Sequence, residues 1–254
     1  MLKRRIIPIQ LLLDGRLVKT TRFAEYRDVG DPVSSTRVYN SQYADELMLL
    51  NIARKARTVE PLATVLEAIS EVCFMPLTVG GGIRQIADIE FLIRNGADKV
   101  LINSAAYTDT TLIGEAADRF GSQAVVVGID AAWSESLARY EVFSDCGRSA
   151  QPVTLEDHVG TCVDAGAGEI MIQSIECDGA MNGYDTALTR RVSDACDVPV
   201  IAAGGSGNYE HLKEVLLDAD VSAVACGSLF NFSDSNPIRA KAFLSNYGLP
   251  FKVV

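Results

Sequence analysis

Two glycine-rich segments are spaced so that their backbone N–H groups could bind phosphate. Val79-Gly80-Gly81-Gly82 lies in the first half of the chain, and Ala203-Gly204-Gly205-Ser206-Gly207 lies in the second. Each is followed, one apolar segment later, by a small polar pair, Asn103-Ser104 or Gly227-Ser228. Glycine has no Cβ to keep a phosphate oxygen away from the backbone. The repeated arrangement predicts a ligand with phosphate at both ends, whereas tight turns between strand and helix are the alternative interpretation.

Short segments rich in Val and Ile alternate with helical patterns, which predicts parallel strands joined by crossover helices. The predicted strands are near 5–12, 46–51, 77–79, 99–102, 124–129, 169–173, 200–203 and 223–225. The predicted helices are near 33–39, 59–72, 85–94, 109–119, 154–164, 185–195, 208–217 and 237–246. We therefore expect an α/β fold, a single (β/α)8 TIM barrel domain over residues 1–254 with an internal half-barrel repeat. Asp130 and Asp178 then fall, like the glycine segments, at the carboxyl ends of strands, where such barrels carry their reactive groups.

The composition is that of a globular protein, with 48% hydrophobic and 22% charged residues. A net charge of −10 argues against nucleic acid as a partner. No apolar run reaches the roughly 18 to 20 residues that a membrane span needs. The segment from Met1 to Arg5 leads directly into a strand pattern rather than an apolar signal core. We therefore expect a cytoplasmic protein with no membrane partner.

Cysteines and histidines give no indication of a metal site. The six cysteines form no C-x-x-C pair, and several fall in apolar patterns, so we expect buried reduced thiols rather than disulfides. His158 and His211 fall in predicted helices, which we place on the outside of the fold, and neither is expected to have a functional role. No metal or cofactor is predicted.

Motifs spread along the chain carry a resemblance to a known family. They include Arg5-Ile6-Ile7-Pro8, Asp14-Gly15-Arg16, Gly30-Asp31-Pro32, Asp45-Glu46-Leu47, Val79-Gly80-Gly81-Gly82-Ile83, Gly96-Ala97-Asp98-Lys99, the stretch 121–130, Asp178-Gly179, and Gly183-Tyr184-Asp185. Nearly end to end, the chain resembles the cyclase subunit of imidazole glycerol phosphate synthase. The resemblance implies a barrel that takes ammonia from a separate glutaminase subunit and uses it to cleave and cyclise a doubly phosphorylated ribonucleotide.

The resemblance also implies two phosphate sites, with residues in matching positions of the two halves. One phosphate is expected against Gly81, Gly82, Asn103 and Ser104, and the other against Gly179, Gly204, Gly205, Gly227 and Ser228. Lys19 and Arg27, in the long loop after the first strand, resemble a mobile flap over the substrate, although two solvated side chains are an equal alternative.

Four charged residues at the starts of strands resemble the family's ammonia gate: Arg5, Glu46, Lys99 and Glu169. A structural ion-pair network at the barrel floor is the alternative. Asp98 resembles the acid with which the family docks its glutaminase, although alone it could be an ordinary solvated carboxylate.

One catalytic carboxylate of the resembled family is missing. Asp130 matches the family's acid or base on the fifth strand, whereas Leu11 stands where the first strand should carry its partner. Leucine transfers no proton, and a positioned acid or base is typically worth about 10² to 10⁴ in rate. Polar positions on the same face have also changed, as at Asn51, Gln173 and Ala180. These departures indicate a changed or a lost reaction.

Leu11-Leu12-Leu13 is similar to a divergent branch of the family that works with a glutaminase and a sugar-amidating enzyme in surface polysaccharide synthesis. The implied role is to channel ammonia from the glutaminase towards a sugar that receives an amidino group. One alternative is a cyclase of histidine biosynthesis in which Asp178 or Glu176 replaces the missing acid. Another is a binding module that senses a phosphorylated metabolite.

Overall fold

The computed structural model describes residues 3–53 and 58–252. Its strands are β1 (Arg5–Leu13), β2 (Arg16–Thr21), β3 (Glu25–Gly30), β4 (Leu47–Asn51), β5 (Leu77–Gly80), β6 (Lys99–Ile102), β7 (Val125–Ser134), β8 (Arg139–Ser144), β9 (Ser149–Ala150), β10 (Glu169–Ser174), β11 (Val200–Ala203) and β12 (Ala223–Cys226). Within the described residues, eight of these strands close a parallel barrel in the order β1-β4-β5-β6-β7-β10-β11-β12, and β12 pairs back with β1. The predicted (β/α)8 TIM barrel is confirmed.

Two barrel strands continue into antiparallel extensions at the carboxyl end. β1 pairs with β2, which pairs with β3, and β7 pairs with β8, which pairs with β9. We call residues 16–30 the first arm and residues 139–150 the second arm. Since β1 and β7 are the first and fifth strands of the barrel, the arms occupy matching positions in the two half-barrels. The segment after the first strand is therefore a paired hairpin rather than the long loop expected from sequence.

The helices lie outside the barrel and connect its strands. They are α1 (Pro32–Ser41), α2 (Ala63–Ser70), α3 (Ile86–Arg94), α4 (Thr111–Phe120), α5 (Leu155–Asp164), α6 (Thr186–Ala195), α7 (Tyr209–Asp218), α8 (Ser228–Phe232) and α9 (Pro237–Ser245). Several begin at a side chain that accepts a hydrogen bond from the third helical N–H, as at Asp31, Thr154 and Asn236. In the described part of the chain, no helix combines the length and the apolar character that crossing a membrane requires.

The apolar core has two layers, because successive strand residues point to opposite sides of the barrel wall. One layer lies between the wall and the helices and includes Ile6, Leu49, Val127 and Leu212. The other fills the barrel interior. Its members are Ile7, Ile9, Met48, Leu50, Leu101, Val126, Met171, Ile201, Ala203, Ala223 and Ala225, with Leu11 packed against them. An apolar column therefore runs along the barrel axis.

Candidate functional site

A ring of four charges lies at the amino end of the apolar column. Arg5, Lys99 and Glu169 are the first residues of β1, β6 and β10, and Glu46 directly precedes β4. The Arg5 guanidinium lies 2.7 Å from Glu46 and 3.0 Å from Glu169. The Lys99 ammonium lies 3.1 Å from Glu46 and 2.8 Å from Glu169. Each cation therefore contacts both carboxylates, and the structure brings together all four residues predicted as the gate.

The charges of the ring compensate one another in a largely buried position. Burial lowers the pKa of Arg5, but the charges of Glu169 and Glu46 outweigh it, and the net result is a raised pKa. Ions of this kind are tolerated away from water only when they are paired and hydrogen-bonded, as these are. The ring thus pairs two basic with two acidic side chains, whose formal charges sum to zero.

At the opposite end, a cavity of about 710 Å³ opens between the carboxyl ends of the strands. We call it the large cavity. Its lining includes the whole of the first predicted phosphate set, Gly81, Gly82, Asn103 and Ser104, together with Asp130. Leu11, Leu50, Leu101 and Met171 form its floor, since they also belong to the apolar column. The cavity therefore combines an apolar floor with a polar side that carries one buried carboxyl group.

Asp130 is the titratable group best placed for proton transfer in the large cavity. It is only 7% exposed, and Asn103 Nδ2 donates a hydrogen bond of 3.1 Å to its Oδ2. Burial raises the pKa of Asp130 to about 7, against the opposing effect of Asn103, and the charge of Asp178 raises it further. A carboxyl group whose pKa is close to neutral can both donate and accept a proton at physiological pH.

Leu11 occupies the first-strand side of the same cavity. In the sheet it lies opposite Leu50 of β4 and Val18 of β2. Asp14, at the turn after β1, also lines the large cavity but is exposed. Of the two acids considered as replacements, Glu176 is exposed and lines neither this cavity nor the smaller one below, whereas Asp178 is buried in the smaller one. The residue on the first-strand side of the large cavity is therefore apolar, and Leu11 can transfer no proton there.

A second cavity, of about 30 Å³, lies beside the large one. We call it the small cavity. Its lining includes the second predicted phosphate set, Gly179, Gly204, Gly205, Gly227 and Ser228, together with Lys19 and Asp178. The Lys19 ammonium donates a hydrogen bond to the Ile9 carbonyl oxygen, and the residue is only 6% exposed. Burial lowers the pKa of Lys19 to about 8, although the charge of Asp178 acts in the opposite direction.

Lys19 is therefore neither a solvated side chain nor part of an open flap, and its burial was not foreseen from the sequence. Arg27, its neighbour across the first arm, has its guanidinium carbon 5.4 Å from the centre of the Phe232 ring, a cation–π contact. Lys19 and Arg27 thus both contact residues outside the first arm.

The glycines of both sets make room for neighbouring backbone. A Cβ on Gly81 would collide with the Asn51 carbonyl, and one on Gly205 would collide with the Gly183 carbonyl. Both residues also have positive φ values, of 94° and 117°, which disfavour other residues. Close chain packing thus accounts for these glycines by itself, and phosphate binding by them stays a prediction.

Asp98 has a local structural contact at the amino end. Its Oδ2 accepts a hydrogen bond of 2.8 Å from the Leu77 N–H at the start of β5. Asp45 does the same for the Ile6 N–H of β1, also at 2.8 Å. These contacts account for both acids without a partner protein, and docking through Asp98 stays a prediction.

The expected position of His158 is wrong. It lies in α5, as predicted, but is 3% exposed and stacks on the Tyr107 ring with the ring centres 3.9 Å apart. Burial lowers its pKa to about 4, so the ring is neutral at physiological pH. His211 lies in α7, where its Nδ1 accepts a hydrogen bond from the Gly207 N–H. The cysteines, all within the described ranges, form no disulfide; Cys162 and Cys226 are buried and the others are partly buried.

A sequence model of the family described as histidine biosynthesis protein matches residues 5–236. The chain belongs to this family. The match covers every barrel strand, both arms and both cavities, and ends just before α9. This member of the histidine biosynthesis family has a charged ring at the amino end of its barrel and Leu11 on the floor of the large cavity at the other end.

Proposed function

We propose that this protein is the barrel subunit of a glutamine amidotransferase. Ammonia released by a glutaminase enters at the charged ring, passes along the apolar column and reaches an acceptor in the large cavity. The observation that carries the proposal is a complete four-charge ring on a barrel whose other end has Leu11 facing the cavity of Asp130. The glutaminase docks on the face that carries the ring and Asp98.

The column suits neutral ammonia and excludes ammonium. Its side chains are apolar from Ile7 and Met48 near the ring to Leu101 and Met171 at the cavity floor. A charged ion without a partner is costly to place in such surroundings, whereas neutral ammonia loses far less on leaving water. Since both carboxylates of the ring are already paired with Arg5 and Lys99, neither is free to retain an ammonium ion.

A site with a single buried acid or base group suits amidation better than cyclisation. With a pKa of about 7, Asp130 can give a proton to the oxygen that leaves the acceptor and take one from the incoming nitrogen. Cleavage with ring closure, as in the resembled cyclases, uses a second group where this chain has Leu11. A phosphate on the acceptor binds at Gly81, Gly82, Asn103 and Ser104, and the likeness of Leu11-Leu12-Leu13 to the polysaccharide branch favours an acetamidino sugar as product.

Isotope tracing through the complex tests this function. The barrel and its glutaminase are supplied with glutamine labelled at the amide nitrogen, unlabelled ammonium and the acceptor sugar. We expect label in the amidino product despite the competing ammonium. In a Lys99→Met variant, which breaks the ring, the labelled fraction should fall, whereas Arg16→Met, which breaks an exposed ion pair with Asp28, should leave it unchanged. Equal labelling by both nitrogen sources in the wild type would refute channelling.

A cyclase of histidine biosynthesis is the second candidate. It is favoured by the family and by the electrostatic coupling of Asp130 to Asp178, whose pKa is also raised by burial. Ammonium and the family's doubly phosphorylated ribonucleotide, supplied to the purified barrel alone, distinguish the two. We expect no imidazole glycerol phosphate from the wild type and measurable product from Leu11→Asp. Leu13→Asp alters the lining of the same cavity and should be inactive, so it is the control. Rapid turnover by the wild type would favour the cyclase.

A further inference from the structure

The two predicted phosphate sets lead into cavities of very different size. The large cavity offers about 710 Å³ and the small one about 30 Å³. A single ordered water needs about 10 to 15 Å³ of such space, so the small cavity holds about two waters. A phosphate group, with four oxygens around phosphorus, does not fit there unless something moves.

The Lys19 side chain fills the space that a second phosphate would need. It lies directly over Gly227, where a Cβ would come within 2.6 Å of the Lys19 Nζ and 3.3 Å of its Cε. Its ammonium is bound to the Ile9 carbonyl oxygen rather than directed towards an open pocket. The missing side chain at Gly227 therefore leaves the space that the Lys19 side chain occupies.

Asp178 holds the first arm over the small cavity through hydrogen bonds. Thr20 Oγ1 donates to Asp178 Oδ2 at 2.6 Å, and Gln173 Nε2 donates to Oδ1 at 3.2 Å. The Arg22 N–H donates to the Asp178 carbonyl oxygen at 2.9 Å. We call these four residues the Asp178 clamp. Gly179, with a φ of 68°, belongs to the same contact, since a Cβ there would collide with the Thr20 carbonyl.

The charges of the small cavity are also already matched. Asp178 is the carboxylate that faces the Lys19 ammonium, and it raises the pKa of Lys19 against the effect of burial. An incoming phosphate would meet a carboxylate that is itself buried. Gln173, which completes the clamp, is one of the positions at which this chain departs from the resembled cyclases.

We propose that the clamped first arm and Lys19 close the second glycine set, so that the protein takes a ligand with a single phosphate, bound in the large cavity. The expectation of a ligand with phosphate at both ends is thereby replaced. The inference rests on the proposed function only in taking the large cavity as the acceptor site.

Binding of matched sugars to the purified barrel is the first test. We expect a pentose monophosphate and the corresponding pentose bisphosphate to have dissociation constants within about threefold of each other, because only one phosphate is bound. In Thr20→Val, which loses the clamp hydroxyl, the bisphosphate should become the tighter ligand by about tenfold as the arm releases. Thr21→Val removes an exposed hydroxyl one residue away and should behave as the wild type. A wild-type preference for the bisphosphate of tenfold or more, or an unchanged ratio in Thr20→Val, overturns the proposal.

Amide hydrogen exchange provides a test that needs no ligand. Amides of the first arm should exchange slowly in the wild type and in Thr21→Val, and about tenfold faster in Thr20→Val, because the clamp holds the arm closed. An arm that exchanges rapidly in the wild type overturns the proposal. Neither experiment involves glutamine or ammonia, so failure here leaves the channelling function standing, and failure of isotope channelling leaves this inference standing.

Discussion

The large and the small cavity arise from matching halves of one repeated pattern, yet their contents are opposite. The large one carries a buried acid, Asp130, above an apolar floor that includes Leu11. The small one carries a buried base, Lys19, beside the Asp178 carboxylate. Both lie where a glycine segment ends a strand. Repeated backbone therefore fixes where a cavity forms, while individual side chains decide whether it is open and which charge it holds.

The largest expected difference between the cavities is in catalysis. Asp130→Asn removes the group proposed to transfer protons and should lower the amidation rate of the reconstituted system by about 10² to 10⁴. Asp178→Asn keeps the side-chain shape and should leave the rate within a few-fold while it loosens the first arm. Steady-state rates at saturating glutamine test both. An equal loss in the two variants would mean that the small cavity takes part in the reaction.

Asp130 and Lys19 should contribute slopes of opposite sign to the pH dependence of stability. Between pH 4 and 7 folded Asp130, with a pKa of about 7 against its ordinary 3.8, keeps a proton that the unfolded chain has lost, so this group makes stability fall with rising pH. Between pH 8 and 10.5 unfolded Lys19 keeps a proton that the folded protein has lost, so this group makes stability rise. Other buried groups add slopes of their own, as His158 does with its pKa lowered to about 4, so each contribution is read as the difference between the wild type and a variant. Each slope is at most about 1.4 kcal/mol per pH unit.

Urea unfolding at a series of pH values measures these slopes. Relative to the wild type, Asp130→Asn should change the slope only between pH 4 and 7, and Lys19→Met only between pH 8 and 10.5. If either variant changed the slope in both windows, the two groups would be titrating as one site and the separation of the cavities would fail.

The glycines of the two sets should differ in their tolerance of alanine. Gly81→Ala forces a Cβ against the Asn51 backbone at a φ of 94° and should cost about 1 to 3 kcal/mol of unfolding free energy. Gly227→Ala meets side-chain atoms at the end of Lys19 rather than backbone, at a backbone φ of −110°, and should cost less. Thermal or urea unfolding ranks the two variants. The reverse order would show that Lys19 is held more rigidly than its contacts indicate.

The smallest effect on stability is expected at Tyr107, which precedes Thr108 in the lining of the large cavity. The Tyr107 hydroxyl is buried and has no hydrogen-bond partner among the described residues. Tyr107→Phe removes a desolvated polar group without opening a cavity, so stability should stay equal or rise by up to about 1 kcal/mol. Tyr140→Phe provides the contrast, because it removes a hydroxyl that donates to Asp185 and should be destabilising. A loss in Tyr107→Phe comparable to that in Tyr140→Phe would reveal a hidden partner.

The sequence was sufficient for the barrel strands and for the ring. Parallel strands buried on both sides give short runs of Val and Ile, and β6, β11 and β12 were predicted within a residue or two of their bounds. The four residues of the ring were implied by the family resemblance, and the structure brings them together because the starts of parallel strands converge at one end of a barrel.

The arms and the burial of Lys19 could not be predicted from local pattern. β2 and β3 exist because β1 continues beyond the barrel wall and pairs with them, a tertiary event that leaves no periodic signal. For His158 a signal was present, because Leu155, His158, Val159 and Cys162 share one face of α5 at helical spacing and all are buried. The glycine runs predicted the loops correctly, whereas phosphate binding by these loops stays a prediction.

The separation of the apolar residues into an outer and an inner layer bears on how such a protein changes over evolutionary time. The outer layer, between wall and helices, contains most of the large buried side chains and so supplies most of the folding free energy. A substitution at the cavity end of the inner layer, as at the partly buried Leu11, therefore disturbs folding less than one in the outer layer. The chemistry of the cavity can change at such a position while the cylinder around it persists unaltered.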